Sequence, residues 1–351
     1  MARIGINPAR GKTSSYRSSR ITIAVLTYIP NLSGYFEHRL EVLKLVFASL
    51  FAHTDHSNDP SQSHELMVFD NGSCNNVVSF LLELQESRQI DYLILSPRNI
   101  GKINALKIMF SSAPGEIIAY SDDDVFFYPG WLKGHLEIFE HFHQVGMVSG
   151  VAVRNASGHA QKSLGNLTSE AIPGLTTYRE HRIPDGWEVD WAISTGRNPE
   201  EHLKAMQDHQ DLIFRLEKPE HNGVLEAIGS ANHFQFISPK EVILQALPNE
   251  WSNKLMGSMI ELDKAVDNLG YLRLSTTTRY TRHLGNILSD EVVKEASSLG
   301  LILREEENGE SLFTNPSITR RNKSKKHWIL QIPGARRILK HTYDRLFEIL
   351  S

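Results

Sequence analysis

One cysteine, Cys74, is all that 351 residues hold, which excludes an intramolecular disulfide and fits a reducing compartment. No run of about 18 uncharged apolar residues occurs, so no transmembrane helix is expected. No apolar h-region follows the N-terminus, so a secretory signal is not expected either. The Asn-x-Ser/Thr triplets at Asn155, Asn166 and Asn322 carry little meaning without secretion. A glycine-rich phosphate loop ending in Lys-Ser/Thr is absent, which speaks against that kind of nucleotide hydrolase. The expected location is the cytoplasm.

Acid outweighs base by four, but unevenly. Residues 1–20 hold five basic residues and no acid, and residues 317–351 hold nine basic and two acidic. The body between them carries 23 basic against 39 acidic residues. An acidic body with basic ends argues against a nucleic-acid partner and leaves a basic tail that can meet phospholipid. A hydrophobic content of 40% supports a substantial core.

Residues 1–20 lack periodicity and read as a disordered leader. Ile21 to Thr27 is a continuous apolar run, as in a parallel strand covered on both faces. Ser33 stands where it would cap a helix with apolar positions Phe36, Leu40, Leu43, Phe47 and Leu50. Strands and helices then alternate: Glu65 to Phe69, a helix through Leu81, Tyr92 to Leu95, a helix through Leu106, and Ile117 to Tyr120. Pro129 reads as the first residue of the next helix. This rhythm predicts an α/β fold with a mainly parallel central sheet flanked by helices. From Asn155 to Asn222 the rhythm fails, with a charged, helical-looking patch from Pro199 to Leu216.

At the end of the Ile117 strand stand three adjacent carboxylates, Asp122, Asp123 and Asp124. Three like charges there repel one another unless a cation or a ring of donors offsets them. Hard oxygen ligands suit Mg2+ or Mn2+, ions that also hold substrate phosphates; a solvated acidic turn is the plain reading beside it. In an open α/β sheet, ligands lie outside the carboxyl ends of the strands. Thr27-Tyr28, Asp70 to Ser73, Asn99 to Lys102 and the three acids therefore share one rim. Asp70 can accept from a nucleobase N–H or close its own Asx turn, and Lys102 can answer a phosphate or sit in solvent.

On these residues the chain resembles family 2 glycosyltransferases with the GT-A (Rossmann-like) fold. FDNGS at 69–73 is similar to that family's DDGS turn, and the run NIGKINALKIMFSSAPGEIIAYSDDDV to its path from an Asn-x-Gly turn into the DxD strand. GSMIELDKAVDNLGYLRL resembles the segment that carries the acidic base, and RHLGN the site of a later histidine. The resemblance covers about 20–290 and is absent at 155–222; Asn71 replaces a common second acid. It implies a nucleotide-sugar donor touched by Thr27, Tyr28, Asp70, Asn99, Lys102, Asp122 and Asp123. It further implies Mn2+ or Mg2+ on Asp124 and His283, and Asp263 as general base of an inverting, hexosyltransferase-type reaction, with Glu261 as the other candidate. Trp187 and Trp191 would wall the site of a carbohydrate, lipid-linked or other hydroxyl acceptor, or simply pack in the core. Two other readings remain open: a non-catalytic nucleotide-sugar-binding or scaffold protein, and another α/β enzyme such as a nucleotidyltransferase.

The expected organisation is a leader at 1–20, a GT-A domain at 21–290 (nucleotide-sugar half 21–153, acceptor half 154–290), and a helical extension at 291–351. In that extension a basic cluster precedes Trp328, and Ile338, Leu339, Leu346 and Phe347 form an apolar stripe. Such a tail would hold the chain at the cytoplasmic face of an anionic membrane or pack on the domain.

Overall fold

Strand Ile21–Thr27 (β1) is buried along its whole length, and its side chains divide between two cores. Ile21, Ile23 and Val25 join one apolar cluster, and Ala24 and Leu26 another. That division is why apolar residues occupy both sides of the run instead of alternating with exposed polar ones. A computed structural model describes residues 9–10, 12–54, 59–154, 160–166, 174–218, 223–256, 258–305 and 311–314.

Around β1 lie His64–Asp70 (β2), Tyr92–Leu95 (β3) and Ile117–Asp122 (β4), all parallel, in the order β3-β2-β1-β4. Two strands from later in the chain extend the sheet: Gln235–Pro239 (β10) pairs antiparallel with β4, and Val145–Ser149 (β6) follows it. Leu272–Thr276 (β11) pairs parallel with β6. Beyond it an antiparallel wing of Gly223–Ile228 (β9), Asp211–Lys218 (β8) and Leu175–Glu180 (β7) completes ten strands. The parallel sheet expected from the strand–helix rhythm is thus present, with an antiparallel wing added at one edge. Val125–Phe127 (β5) and Thr281–His283 (β12) form a separate ribbon.

Helices cover both faces. Arg39–His53 (α1), Asn75–Glu86 (α2) and Trp131–His141 (α4) pack into the first cluster. Lys102–Ser112 (α3), Lys240–Ala246 (α7) and Met259–Asn268 (α8) pack into the second. Asp185–Ser194 (α5) and Pro199–Ala205 (α6) belong to the wing, and Asp290–Ser298 (α9) follows the ribbon.

Three local expectations change. The long helix begins at Arg39, after a single 3-10 turn at Gly34–Phe36, and Ser33 caps neither by its side chain: its hydroxyl donates to Asn31 Oδ1. Gly130, at φ +78°, stands between Pro129 and the helix, which starts at Trp131. The charged patch 199–216 is helical as far as Ala205 and then becomes β8, whose Ile213, Phe214 and Leu216 are buried while Arg215 and Glu217 face solvent.

Residues 19–317 form one compact unit, so the sheet runs unbroken through both halves of the expected 21–290 domain. The described residues among 1–18 carry no helix or strand. The extension expected to be helical opens with α9 and continues into a hairpin of Ile302–Glu305 (β13) and Ser311–Thr314 (β14). The basic tail lies outside the described residues. No helix among the described residues is long and apolar enough to cross a membrane.

Candidate active site

The register of the parallel strands sets Thr27 beside Asp70 and Leu26 beside Asp122, so β1, β2 and β4 end at one level. The expected rim exists. Its three acids are offset by donors of the protein itself.

Arg39, the first residue of α1, extends its guanidinium into the acid turn. Nη2 pairs with Asp123 Oδ1, and Nη1 lies 2.7 Å from both Asp124 Oδ2 and the Gly285 carbonyl. Thr27 Oγ1 donates to Asp123 Oδ2 at 2.6 Å and the Tyr28 N–H does so at 3.2 Å. Thr27 is fully buried, so it supports the acid turn from behind instead of facing a ligand. Asp122 takes Lys102 Nζ on both oxygens at 2.7 Å, and the Tyr120 hydroxyl donates to the same carboxylate. The electrostatics differ along the turn. Burial pushes the Asp123 carboxyl up from its ordinary value despite Arg39. Burial would do the same to Asp124, but His283 and Arg39 outweigh it and hold that carboxyl below the usual range. For Arg39, burial opposes the charge, and Asp123 and Asp124 more than reverse it, so the guanidinium stays firmly protonated.

Asp70 is 1% exposed and closes its own turn: its carboxylate accepts the backbone N–H groups of Gly72 and Ser73. Burial raises it above the ordinary carboxyl value. Gly72 needs its φ of +89° here, because a Cβ would fall 2.5 Å from the Arg98 carbonyl carbon. Through this close approach Asn71 reaches Asn99: Nδ2 donates to Asn99 Oδ1 at 3.1 Å, and Asn71 Oδ1 accepts the Ile100 N–H at 3.0 Å. Asn99 Oδ1 also accepts the Gly101 N–H, which shapes the entry to α3 and so places Lys102.

The other wall comes from residues far along the chain. The β10 pairing sets Gln235 beside Ser121, and the Asp122 N–H donates to the Phe234 carbonyl at 2.8 Å. The Phe234 ring stacks on Trp191, centroids 5.3 Å apart at 20°, and both rings meet His283 edge-on. His283 is held from behind by Ser194 Oγ, 2.8 Å from Nδ1, while Nε2 lies 3.5 Å from Asp124 Oδ1. Trp187 sits against Arg279, whose Cζ is 5.8 Å from the ring. Val151, Val153, Trp187, Trp191, Phe234, Arg279 and His283 line one small pocket. A wider depression of about 400 Å3 at Glu137, Arg215, Glu226 and Thr277 shares none of the site residues.

The two candidate bases separate. Glu261 is on the solvent side of α8, 68% exposed, and pairs with Lys264 at 3.2 Å. Asp263 is fully buried, with Oδ1 2.9 Å from Arg273 Nη2 and Oδ2 2.7 Å from His233 Nδ1. A carboxylate so enclosed presents no surface to a hydroxyl, because burial forces it to take partners inside the protein. Below this wall the chain closes on itself. Ser149 Oγ lies 2.8 Å from Asn232 N and 2.9 Å from Asn232 O, and Asn232 Nδ2 donates to the Val151 carbonyl.

Arg39, Tyr120, His233, Phe234 and Arg273 escaped sequence reasoning. Arg39 left a trace: a basic residue in the first turn of an apolar helix opposes the helix dipole, which signals a partner elsewhere. His233 left none, since a histidine before a strand has no spacing to betray it.

Among the described residues no three His, Cys, Asp or Glu side chains group as metal ligands. A two-residue donor set is nonetheless present. Asp124 Oδ1 is buried, accepts no hydrogen bond and faces His283 Nε2. A carboxylate oxygen and an imidazole nitrogen fit Mn2+ better than Mg2+, which prefers oxygen alone.

Residues 35–190 match the family model described as glycosyl transferase family 2, the family that the sequence motifs resemble. The match spans the acid turn, Asp70, Lys102 and Trp187, and stops short of Asp263 and His283. No curated protein matches the chain. Solved structures similar to it include S. aureus TarS 1–349, at 16% identity over 37% of this chain and 34% of that one, with a TM-score of 0.29. The same protein in complex with UDP-GlcNAc gives 17% over 37% and 33%, with a TM-score of 0.28. The mannosyltransferase PcManGT from Pyrobaculum calidifontis, in complex with GDP-Man and Mn2+, gives 24% over 42% and 41%, with a TM-score of 0.30. The chain thus aligns with less than half the length of each.

Proposed function

We propose that this protein transfers a sugar from a nucleoside-diphosphate sugar to an acceptor hydroxyl with inversion at the anomeric carbon. The observation that carries the reading is Asp124 Oδ1, buried, without a hydrogen bond and aimed at His283 Nε2 on a rim otherwise neutralised by Arg39 and Lys102. Asp124 and His283 would hold Mn2+, or Mg2+ less well, with diphosphate oxygens and water completing the coordination. Such an ion, when bound, offsets the charge that builds on the departing diphosphate. Asp122 and Lys102 would meet the ribose and the phosphates, and Asp70 with Asn71 and Asn99 would frame the base. Trp187 and Trp191 line the side where the acceptor would enter, although Phe234 already covers one face of Trp191. The acceptor's proton would leave through the Asp263–His233 pair. An acceptor at a membrane, reached through the basic tail from the cytoplasmic face, belongs to the same reading, as does a hexose as the transferred sugar.

A second reading, a protein that binds nucleotide sugar without turnover, draws on Arg39 and Lys102 already pairing all three acids. One experiment separates them. Purified protein is screened with UDP- and GDP-sugars for release of nucleoside diphosphate, with and without Mn2+ or Mg2+. Metal-dependent release that falls at least about 10²-fold in Asp124→Ala supports transfer, the scale expected for losing a charge-stabilising group. Donor binding with no release in any combination supports the second reading.

A further inference from the structure

We infer that His233 takes the acceptor's proton, with Asp263 and Arg273 as positioning residues behind it; this rests on the glycosyl-transfer reading above. A general base must come within hydrogen-bond reach of the hydroxyl it activates. Asp263 is fully buried, with one oxygen on Arg273 and the other on His233. Glu261, on the solvent side of the same helix, is held by Lys264. The side chain between Asp263 and the outside is His233, 32% exposed.

Its position follows from strand pairing. Gln235 stands beside Ser121 in the antiparallel register, and the Phe234 carbonyl accepts the Asp122 N–H. Residue 233 is therefore one step further along, beside the acid turn where the diphosphate end of a donor would lie. Its tautomer follows from its partner. A carboxylate accepts, so Nδ1 at 2.7 Å from Asp263 Oδ2 carries the hydrogen, and Nε2 keeps its lone pair for a proton. Arg273, 1% exposed, balances the Asp263 charge and also donates to the Ala231 carbonyl, two residues before the imidazole. One guanidinium thus fixes both the carboxylate and the backbone that carries the ring. The second histidine nearby, His283, is differently engaged, between Ser194 and Asp124.

In the step itself the acceptor O–H bond breaks and its proton passes to His233 Nε2. The freed oxygen lone pair forms the bond to the anomeric carbon. The bond from that carbon to the diphosphate oxygen breaks, and its electron pair leaves with the nucleoside diphosphate.

The test uses the full chain with Mn2+ and whichever UDP- or GDP-sugar supports turnover, reading release of nucleoside diphosphate to water so that no acceptor is needed. His233→Gln should lose about 10²–10⁴-fold in kcat while donor Kd changes less than about threefold, and the acid limb of the kcat/KM–pH profile should vanish. Imidazole added to His233→Ala should restore part of the rate. In Asp263→Asn the limb should persist with a reduced kcat, because the imidazole that takes the proton is still there but has lost the carboxylate that orients it. His233→Gln turning over at the wild-type rate, or keeping the limb, overturns the inference. Loss of the limb in Asp263→Asn but not in His233→Gln would return the proton to Asp263. Should Asp263→Asn fail to fold, the two His233 variants decide alone. Wild-type protein that releases no diphosphate from any donor defeats the transferase reading itself, a result separate from any of these.

Discussion

The parallel half of the sheet and its antiparallel wing handle charge in opposite ways. Around the ends of β1 and β4 the charged groups are few, enclosed and paired, two cations to three acids: Arg39 with Asp123 and Asp124, Lys102 with Asp122. On the wing, Arg182 bridges Glu180 and Glu226 from a side chain 37% exposed, and Arg215 reaches toward Glu226 from one 45% exposed. Enclosed charges cannot fall back on water, so removing one partner strands the other. Exposed charges can fall back on it. The lesson is that the rim is specified by its pairs and the wing by its apolar alternation, and several substitutions bring the two into contrast.

The largest effect is expected at Arg39. Arg39→Met leaves Asp123 and Asp124 without their cation and should cost about 3–5 kcal/mol in a urea unfolding curve, the range for breaking a buried pair. Arg182→Ala on the wing should cost about 0–1 kcal/mol by the same measurement. A wing loss as large as the rim loss would erase the contrast. Mn2+ should recover more stability in Arg39→Met than in the wild type, since an added cation then meets two unbalanced carboxylates.

Glycines sharpen the same comparison at a smaller scale. Gly72→Ala forces a Cβ against the Arg98 backbone at φ +89°, and should cost about 2–4 kcal/mol from strain and displacement together. Gly196, on the wing at φ +71°, has open space around it, so Ala there should cost about 1–2 kcal/mol, the left-handed penalty alone. Thermal unfolding of the two variants reads both.

The smallest expected effect is a pH slope. His135 on α4 is fully buried between the Trp131 carbonyl and Gln235, and burial holds its pKa below the ordinary value. A histidine depressed in the fold contributes stability that is complete above the unfolded pKa near 6.5 and is lost as pH falls toward the folded value. The wild type should lose up to about 1.4 kcal/mol per pH unit there from this group. His135→Gln should flatten that slope in denaturant curves run between about pH 6.5 and 5. An unchanged slope would mean that the ring is not the titrating group.

The two halves also differ in how far the sequence exposed them. β1 and β4 are covered on both faces, so apolar residues fill both sides of each strand, and a run such as ITIAVLT reads as a buried strand. The acid turn at the end of β4 was legible for the same reason, because three carboxylates after a buried strand demand an explanation. β7 and β8 are wing strands with solvent on one side, and sequences such as DLIFRLEK mix apolar and charged residues in a pattern that also suits a helix. Asp263 came into view through the resemblance of its segment to the stretch that carries the family's acidic base, but its burial did not, since that depends on Arg273 and His233 arriving from elsewhere in the chain. Arg39 lies 84 residues from Asp123, and nothing local announces that pairing. Side chains that meet across the sheet carry no signature in the order of residues.

The clasp between Ser149 and Asn232 has a consequence for how such a molecule can diversify. Residues 150–231 leave β6, build the β9-β8-β7 wing at the far edge of the sheet and return within one hydrogen bond of where they left, so the wing enters and leaves the chain through one clasp. Closing a longer or shorter excursion changes the chain entropy only slowly with length, and the clasp itself consists of Ser149, Asn232 and Gln235. Trp187, Trp191 and Asp190 ride on that excursion, while Asp122, Lys102, His233 and Asp263 do not. A change of length inside 150–231 would therefore fall on the Trp187 and Trp191 side of the site, while the strands that carry Asp122 and the clasp stay in place.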